Sequence, residues 1–364
     1  MKKVVSVLLR AGAVILFAGY LGAVAWHGLG VPPMVDDPEW VIKADLGPWQ
    51  LLTPEERLRE WRWTTTVPAL YRWYTAPIVR LAGADLDAEP PTVGFEGYTP
   101  PATRDLLRMA SIVLFTATLV ILFAIAWRIL GNWGLAALAI VPIAASATFW
   151  DCVAWRMGPD MLFCLVLAAT LAAWVGLDTR GWRGFVIVSL LCGLATSAKQ
   201  NGILVLGGWC GYLAFTEGPS RRVWRPVVAA ALAFAAFAIV DPALWYRGPQ
   251  EFLSQSIHTR ALWSERTVNV FGPCTPWMFF TTAVKAWWAL PVFAWFVWRC
   301  RREAWFAPVA WWAAALAIGT YVAIPCPETR YLAPLEMGFY FPLMLCIMWL
   351  VTRRRADIRA SRCR

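Results

Sequence analysis

The chain has 364 residues, of which 59% are hydrophobic and only 15% are charged, whereas soluble domains carry about a quarter charged residues. This composition excludes an ordinary soluble protein and predicts an integral membrane protein built from α-helices. The net charge of +10 does not indicate nucleic-acid binding, because the basic residues stand at the ends of apolar segments and not along one stripe.

The apolar segments predict the membrane spans. A bilayer core about 30 Å thick needs roughly 20 apolar residues in a helix. By that measure the chain has about ten candidate spans, at 4–26, 107–130, 133–150, 161–177, 184–198, 202–216, 226–243, 277–298, 305–324 and 331–351. The first span has a second interpretation, because Lys2, Lys3 and the small residues Ala23–Ala25 resemble a secretory signal with its cleavage site.

Basic residues in the connections between spans predict the orientation, since such residues are enriched on the cytoplasmic side. With ten spans, one side collects Lys2, Lys3, Arg128, Arg180, Arg183, Arg221, Arg222, Arg225, Arg299, Arg301 and Arg302, together with the basic tail 352–364. We therefore expect both termini in the cytoplasm.

Two long connections, 31–106 and 244–276, are then expected outside the cytoplasm. The first begins with clustered acids, Asp36, Asp37 and Glu39. Two of its segments, starting near Thr53 and near Val67, have the pattern of amphipathic helices lying on the membrane surface. In the second of these, the side chains assigned to lipid are Leu70, Trp73, Tyr74 and Leu81. The alternative is a loop that packs on the spans.

Charged residues also occur in three short outer turns, where bases are normally scarce. The turns contain Asp151, Arg156 and Asp160, then Lys199, then Glu328 and Arg330. Charges at the membrane boundary are costly unless they are paired or face a polar cavity, so they are candidates for function. The alternative is that they snorkel to the headgroups or form salt bridges between neighbouring turns.

Together these residues place carboxylates and cations on one rim of the protein. A carboxylate can accept the proton of a hydroxyl nucleophile. Guanidinium and ammonium groups can hold a phosphate and stabilise the charge that grows on it as it leaves. The pattern therefore favours a reaction between a hydroxyl and a membrane-embedded substrate with an anionic headgroup.

Four segments resemble motifs of the GT-C class of membrane glycosyltransferases, more narrowly the protein-mannosyltransferase and aminoarabinose-transferase-like superfamily (glycosyltransferase family 39-like). The family motifs are D-E-x-x-Y, R-x-x-P-D, G-L-A-x-L-x-K-x-x-G and R-Y-x-x-P. They are matched in order by Asp36–Trp40, Arg156–Asp160, Gly193–Gly202 and Arg330–Pro334. The resemblance covers nearly the whole chain, from 1 to 364, as one transmembrane domain.

The resemblance implies an inverting transfer of a sugar from a polyprenyl-phosphate carrier to an acceptor hydroxyl on the extracytoplasmic face of a bacterial inner membrane. Asp36 or Asp37 would be the general base; Asp37 and Trp40 stand where the family usually has Glu and Tyr. The donor phosphate would be bound by Lys199, Arg330 and Arg156. The donor or acceptor site would be supported by Glu39, Asp151, Asp160, Gln200, Asn201, Tyr331 and His258.

The sequence leaves the sugar open, and the acceptor could be a lipid, a glycan or a protein. With two histidines in the chain, a histidine-based metal centre is not expected, although carboxylate-bound Mg²⁺ or Mn²⁺ remains an option. Cys274 and Cys326 are both predicted outside and could form a disulfide. The alternatives to an enzyme are a lipid-headgroup transporter or flippase, and a non-catalytic membrane scaffold.

Overall fold

The computed structural model describes residues 69–81, 101–154, 159–241, 298–323 and 329–362, with a few isolated positions besides. Within these ranges the regular elements are all helical. The α-helices are α1 (Ala69–Leu81), α2 (Pro101–Leu130), α3 (Trp133–Ala144), α4 (Ala147–Ala154), α5 (Asp160–Gly176), α6 (Trp182–Ala198), α7 (Ile203–Thr216), α8 (Trp224–Val240), α9 (Phe306–Ala323) and α10 (Thr329–Arg362).

The described helices coincide with predicted spans to within a few residues at most ends. Two of them, over Asp105–Leu130 and Leu332–Arg353, are long and apolar enough to cross a membrane. The pair Trp133–Ala144 and Ala147–Val153 is a third candidate if it counts as one broken span. Asp160–Gly176, Trp182–Ala198, Trp224–Val240 and Phe306–Ile318 are shorter apolar helices. The total of ten spans and the long first outer loop remain predictions, since 4–26 and most of 277–298 lie outside the described residues.

The predicted span 133–150 contains a break, because the chain bends by 69° between α3 and α4. Pro142 lies in the last turn of α3 and has no N–H to donate, so this turn lacks one helical hydrogen bond. The hydroxyls of Ser146 and Thr148 then bond to the carboxylate of Glu336 on α10. The Trp150 indole donates to the carbonyl of Ala144 (Nε1–O 2.9 Å), the last residue of α3.

Contacts between connections group two of the expected cytoplasmic bases at one end of the bundle. The Arg128 guanidinium lies beside Gly176, and Arg225 donates to the carbonyl of Thr179 (Nη2–O 2.8 Å). Arg353 forms a separate ion pair with Glu303 at 3.1 Å. The shared sidedness of the whole set of bases, and the compartment that this end faces, remain predictions.

Helix α1 lies at the opposite end. The Tyr74 hydroxyl donates to the carbonyl of Ala110 in the first half of α2 (3.0 Å), and the Trp73 indole donates to Val240, the last residue of α8 (3.1 Å). Burial raises the pKa of Tyr74 to about 12, so its hydroxyl stays protonated and able to donate. The helix was predicted correctly, but Tyr74 packs on the bundle and was assigned to lipid wrongly.

The core is continuous through the described helices and rich in aromatic residues. Trp174 of α5 packs edge-on against Trp209 of α7, with ring centroids 5.0 Å apart, and Trp209 stacks on Tyr212 at 5.6 Å. Cys164, Cys192 and Cys346 are buried, free thiols, and Cys210 is a half-buried one. This packing holds the helices whose ends form the candidate site.

Candidate functional site

The end of the bundle next to α1 gathers the described site candidates. Asp151 lies in α4, Asp160 begins α5, and Lys199 ends α6. Gln200 and Asn201 follow Lys199 in a short 3₁₀ turn. Glu336 of α10 contacts Ser146 and Thr148 at the start of α4, so the first residues of α10, which include Arg330 and Tyr331, lie toward the same end.

Asp160 and Lys199 form an ion pair between their carboxylate and ammonium groups. The side chain of Asp160 is 5% exposed and that of Lys199 is 13% exposed. Asp160 occupies the first turn of α5, where the helix dipole stabilises a negative charge. Burial of either charge alone would be costly, so each stabilises the other. A salt bridge between neighbouring turns, one of the two sequence interpretations, is therefore present for Lys199.

Two glycines explain how the α6–α7 turn is built. A Cβ atom on Gly193 would lie 2.1 Å from the carbonyl oxygen of Ala233, so glycine lets α6 contact α8 closely. A Cβ on Gly202 would lie 2.2 Å from the carbonyl oxygen of Ala195, so glycine lets the turn fold back on α6. These are the two glycines of the G-L-A-x-L-x-K-x-x-G resemblance, and they shape the helix end and the turn on which Lys199 lies.

The remaining candidates divide into three groups. Gln200 is exposed, while Asn201 and Asp151 are half-buried at the same end. The helix that carries Arg330 and Tyr331 is described, and their side chains are not. The other candidates lie outside the described residues: Asp36, Asp37, Glu39, Arg156 and His258. The structure therefore brings Asp160 and Lys199 together, and convergence with the other groups remains a prediction.

A buried acid that the sequence analysis did not select lies in α10. Glu336 is 4% exposed. Its Oε1 accepts a hydrogen bond from Thr148 Oγ1 at 2.6 Å, and its Oε2 accepts one from Ser146 Oγ. Its position was visible in the sequence, because Glu336 is an acid inside the predicted span 331–351. An ionisable residue inside a membrane span is a candidate for function by default.

Arg108 was also missed. It is fully buried on α2, and its Nη1 lies 3.8 Å from Oδ1 of Asp105 one turn earlier. Both residues belong to the end of α2 that starts beside α1. The available signal was a base within the first turn of the predicted span 107–130.

Among the described residues, no three or more His, Cys, Asp or Glu side chains form a group that could hold a metal ion. The acids at 36–39 lie outside that part of the chain, and carboxylate-bound Mg²⁺ or Mn²⁺ remains a prediction without named ligands.

Comparison with known proteins adds two similarities. Residues 102–246 match the family model described as dolichyl-phosphate-mannose-protein mannosyltransferase, a segment that includes Asp160 and Lys199. The fold is similar to that of ArnT from Cupriavidus metallidurans, solved with bound undecaprenyl phosphate, with a TM-score of 0.57 and 16% sequence identity. The similarity covers 96% of this chain but only 64% of ArnT. A search of curated proteins gave no match.

The matched segment contains the second and third motifs of the resemblance, and the shared fold extends over nearly the whole chain. The chain is thus similar to a mannosyltransferase family over residues 102–246 and similar in fold to ArnT, and both are similarities that its motifs predicted.

Proposed function

We propose that this protein is an inverting glycosyltransferase that takes its sugar from a polyprenyl-phosphate carrier. The observation that carries the proposal is the Asp160–Lys199 pair at one end of a bundle with the fold of ArnT, a protein whose solved structure contains undecaprenyl phosphate. An ammonium group at this end of apolar helices suits a lipid phosphate, whose chain can remain in the membrane.

The chemistry follows from the charges. The bond between the sugar C1 and the phosphate oxygen breaks, and the phosphate leaves with both electrons of that bond. Lys199, together with Arg156 and Arg330, would stabilise the charge that grows on this phosphate. The acceptor oxygen attacks C1 from the opposite face, which inverts the configuration. Asp36 or Asp37 would take the acceptor proton.

The partial exposure of Lys199 supports this role. Its side chain is more exposed than that of Asp160, 13% against 5%, so the ammonium is the member of the pair that a ligand can reach. While no substrate is bound, Asp160 neutralises the charge of Lys199 and orients its side chain. Two or more additional cations at the site would give it the net positive charge that a phosphate requires. Glu39, Asp151, Gln200, Asn201, Tyr331 and His258 are proposed to contact the sugar or the acceptor.

We further propose that the reaction takes place on the extracytoplasmic face of a bacterial inner membrane, with both termini in the cytoplasm and without a required metal. The basic end formed around Arg128, Arg225 and Arg353 would be cytoplasmic. The candidate site lies at the other end, where the acceptor could be a lipid, a glycan or a protein hydroxyl.

The first test is binding of undecaprenyl phosphate to the purified full chain in detergent. Lys199→Gln should weaken binding about tenfold or more, since a hydrogen bond to a charged group typically contributes about 1.5–3 kcal/mol. Arg353→Gln is the matched control, because it also removes an ion-paired cation but at the opposite end. Equal binding by wild type and Lys199→Gln would contradict the proposal.

The second test concerns the reaction. Mass spectrometry of glycans and glycolipids should reveal a sugar that disappears when the gene is deleted and returns with the wild-type chain. Asp36→Asn or Asp37→Asn should fail to restore it, whereas Glu303→Gln, an acid at the opposite end, should restore it. A scaffold would keep its phenotype in all three variants. A transporter would place its charges near the middle of the bilayer, whereas Asp160 and Lys199 lie at helix ends.

A further inference from the structure

Glu336 is a buried carboxylate that the proposed reaction does not use. It lies in the apolar helix α10 with 4% of its surface exposed. A buried carboxylate is strongly unfavourable unless its oxygens receive hydrogen bonds. Both oxygens do: Thr148 donates to one and Ser146 to the other.

The two donors differ from the other hydroxyls in the bundle. Several Ser and Thr hydroxyls in the described helices, such as those of Thr118, Thr170 and Ser189, donate to a carbonyl of their own helix four residues earlier. Ser146 and Thr148 instead reach a side chain about 190 residues away along the sequence. Their position at the α3–α4 bend makes this possible, because the bend separates them from the carbonyls of a continuous helix.

The Glu336 network therefore joins two segments that carry proposed site residues. On one side, α10 starts at Thr329 and carries Arg330, six residues or about 9 Å of helix before Glu336 at ~1.5 Å per residue. On the other side, α4 contains Asp151 and leads to Asp160 at the start of α5. Phe149 of α4 also stacks on Phe115 of α2, with ring centroids 5.5 Å apart, so α4 is held from a second direction.

We propose that Glu336 is a positioning residue for the donor site. By fixing the α3–α4 bend against α10, it sets the spacing between the Asp160–Lys199 pair and the Arg330 end of α10. Cations that bind one phosphate together must keep their spacing, since a misplacement of an active-site group by about 1 Å can lower the reaction rate ~100-fold. This inference rests on the proposed function, because it assigns the spacing to a polyprenyl-phosphate donor.

The test compares threonine variants that delete one buried hydroxyl each. Thr148→Val removes a donor to Glu336, while Thr170→Val removes a hydroxyl that donates to Val166 of its own helix (2.8 Å). Both threonines are buried, at 4% and 0% exposure, so the two variants are matched in chemistry and environment. Thr148→Ser keeps the hydroxyl, and Glu336→Gln removes an acceptor oxygen.

The measurements are the melting temperature of the full chain in detergent and its affinity for undecaprenyl phosphate. We expect Thr148→Val and Glu336→Gln to weaken binding about tenfold, because a shift of α10 against α5 would break one hydrogen bond between a cation and the phosphate. Thr148→Ser should bind like wild type. Thr170→Val should bind like wild type even where its melting temperature falls as far as that of Thr148→Val.

The outcomes separate the two proposals. If wild type binds undecaprenyl phosphate and folded Thr148→Val and Glu336→Gln bind it equally well, Glu336 serves the fold alone and this inference is wrong. The inference is also wrong if Thr170→Val weakens binding as much as Thr148→Val does. If wild type does not bind undecaprenyl phosphate, the proposed function fails, and this inference fails with it. If Glu336→Gln does not fold, the comparison of Thr148→Val, Thr148→Ser and Thr170→Val alone decides whether this inference holds.

Discussion

The Asp160–Lys199 pair admits two roles, and one set of variants can separate them. Lys199 could bind the donor phosphate, or it could only neutralise Asp160. The perturbation is Lys199→Met, which keeps an unbranched apolar stem and deletes the ammonium. It leaves the Asp160 carboxylate, 5% exposed, without the cation that balances its charge. Removing one partner of a buried ion pair typically costs about 3–5 kcal/mol in the free energy of unfolding.

The double variant Lys199→Met/Asp160→Asn removes the charge that the single variant leaves uncompensated. We expect it to recover most of the lost stability, because replacing both partners of a buried pair is far less costly than removing one. Thermal unfolding of the purified chain in detergent measures this recovery. Additive losses in the two single variants and the double variant would mean that the ion pair contributes no coupling energy.

Binding of undecaprenyl phosphate then distinguishes the two roles. If Lys199 contacts the phosphate, both Lys199→Met and the double variant should bind about 10–100-fold more weakly than wild type, the equivalent of ~1.5–3 kcal/mol. If Lys199 only neutralises Asp160, the double variant should regain wild-type binding together with stability. That recovery would refute the phosphate-binding role of Lys199.

Three further changes test other parts of the structure. Gly202→Ala should lower the melting temperature by several degrees, because its methyl group would lie 2.2 Å from a backbone carbonyl of α6; Gly207→Ala, with no atom within 4 Å, should not. Arg225→Ala, which removes a buried partner of an ion pair at the basic end, should cost about 3–5 kcal/mol of unfolding free energy while the folded fraction still binds undecaprenyl phosphate. Trp73→Phe removes the donor to Val240 and should speed hydrogen exchange in α1, whereas unchanged exchange would show that this bond does not hold the helix.

The helices could be predicted from the sequence because each is one apolar run ended by polar or glycine residues. The predicted spans 161–177 and 184–198 differ from α5 and α6 by one or two residues at their ends. Hydropathy does not reveal the bend within 133–150, because the residues there are apolar or small throughout, and Pro142 was the one available signal for a broken helix. The bend is stabilised by Glu336, which lies on a distant segment of the chain, and hydropathy carries no information about that contact.

The site was predictable in part for a similar reason. A base in a predicted outer turn, such as Lys199, contradicts the expected charge distribution and can be found by inspection. Its pairing with Asp160 depends on how α5 packs against α6, and hydropathy carries no information about that packing. Arg108 and Glu336 lie within predicted spans, which hydropathy defines without regard to single charges.

The buried acid and the broken span would each be unfavourable alone, and each stabilises the other. A carboxylate in an apolar helix needs donors, and a continuous α3–α4 helix would direct the hydroxyls of Ser146 and Thr148 to its own carbonyls, as in neighbouring helices. The bend releases those hydroxyls, and Glu336 accepts both. An apolar residue at 336 would remove the cost of burying the charge but leave the two hydroxyls at the bend without this acceptor. The bend and the carboxylate therefore form one structural unit. A substitution in either should change the packing of both α4 and the start of α10.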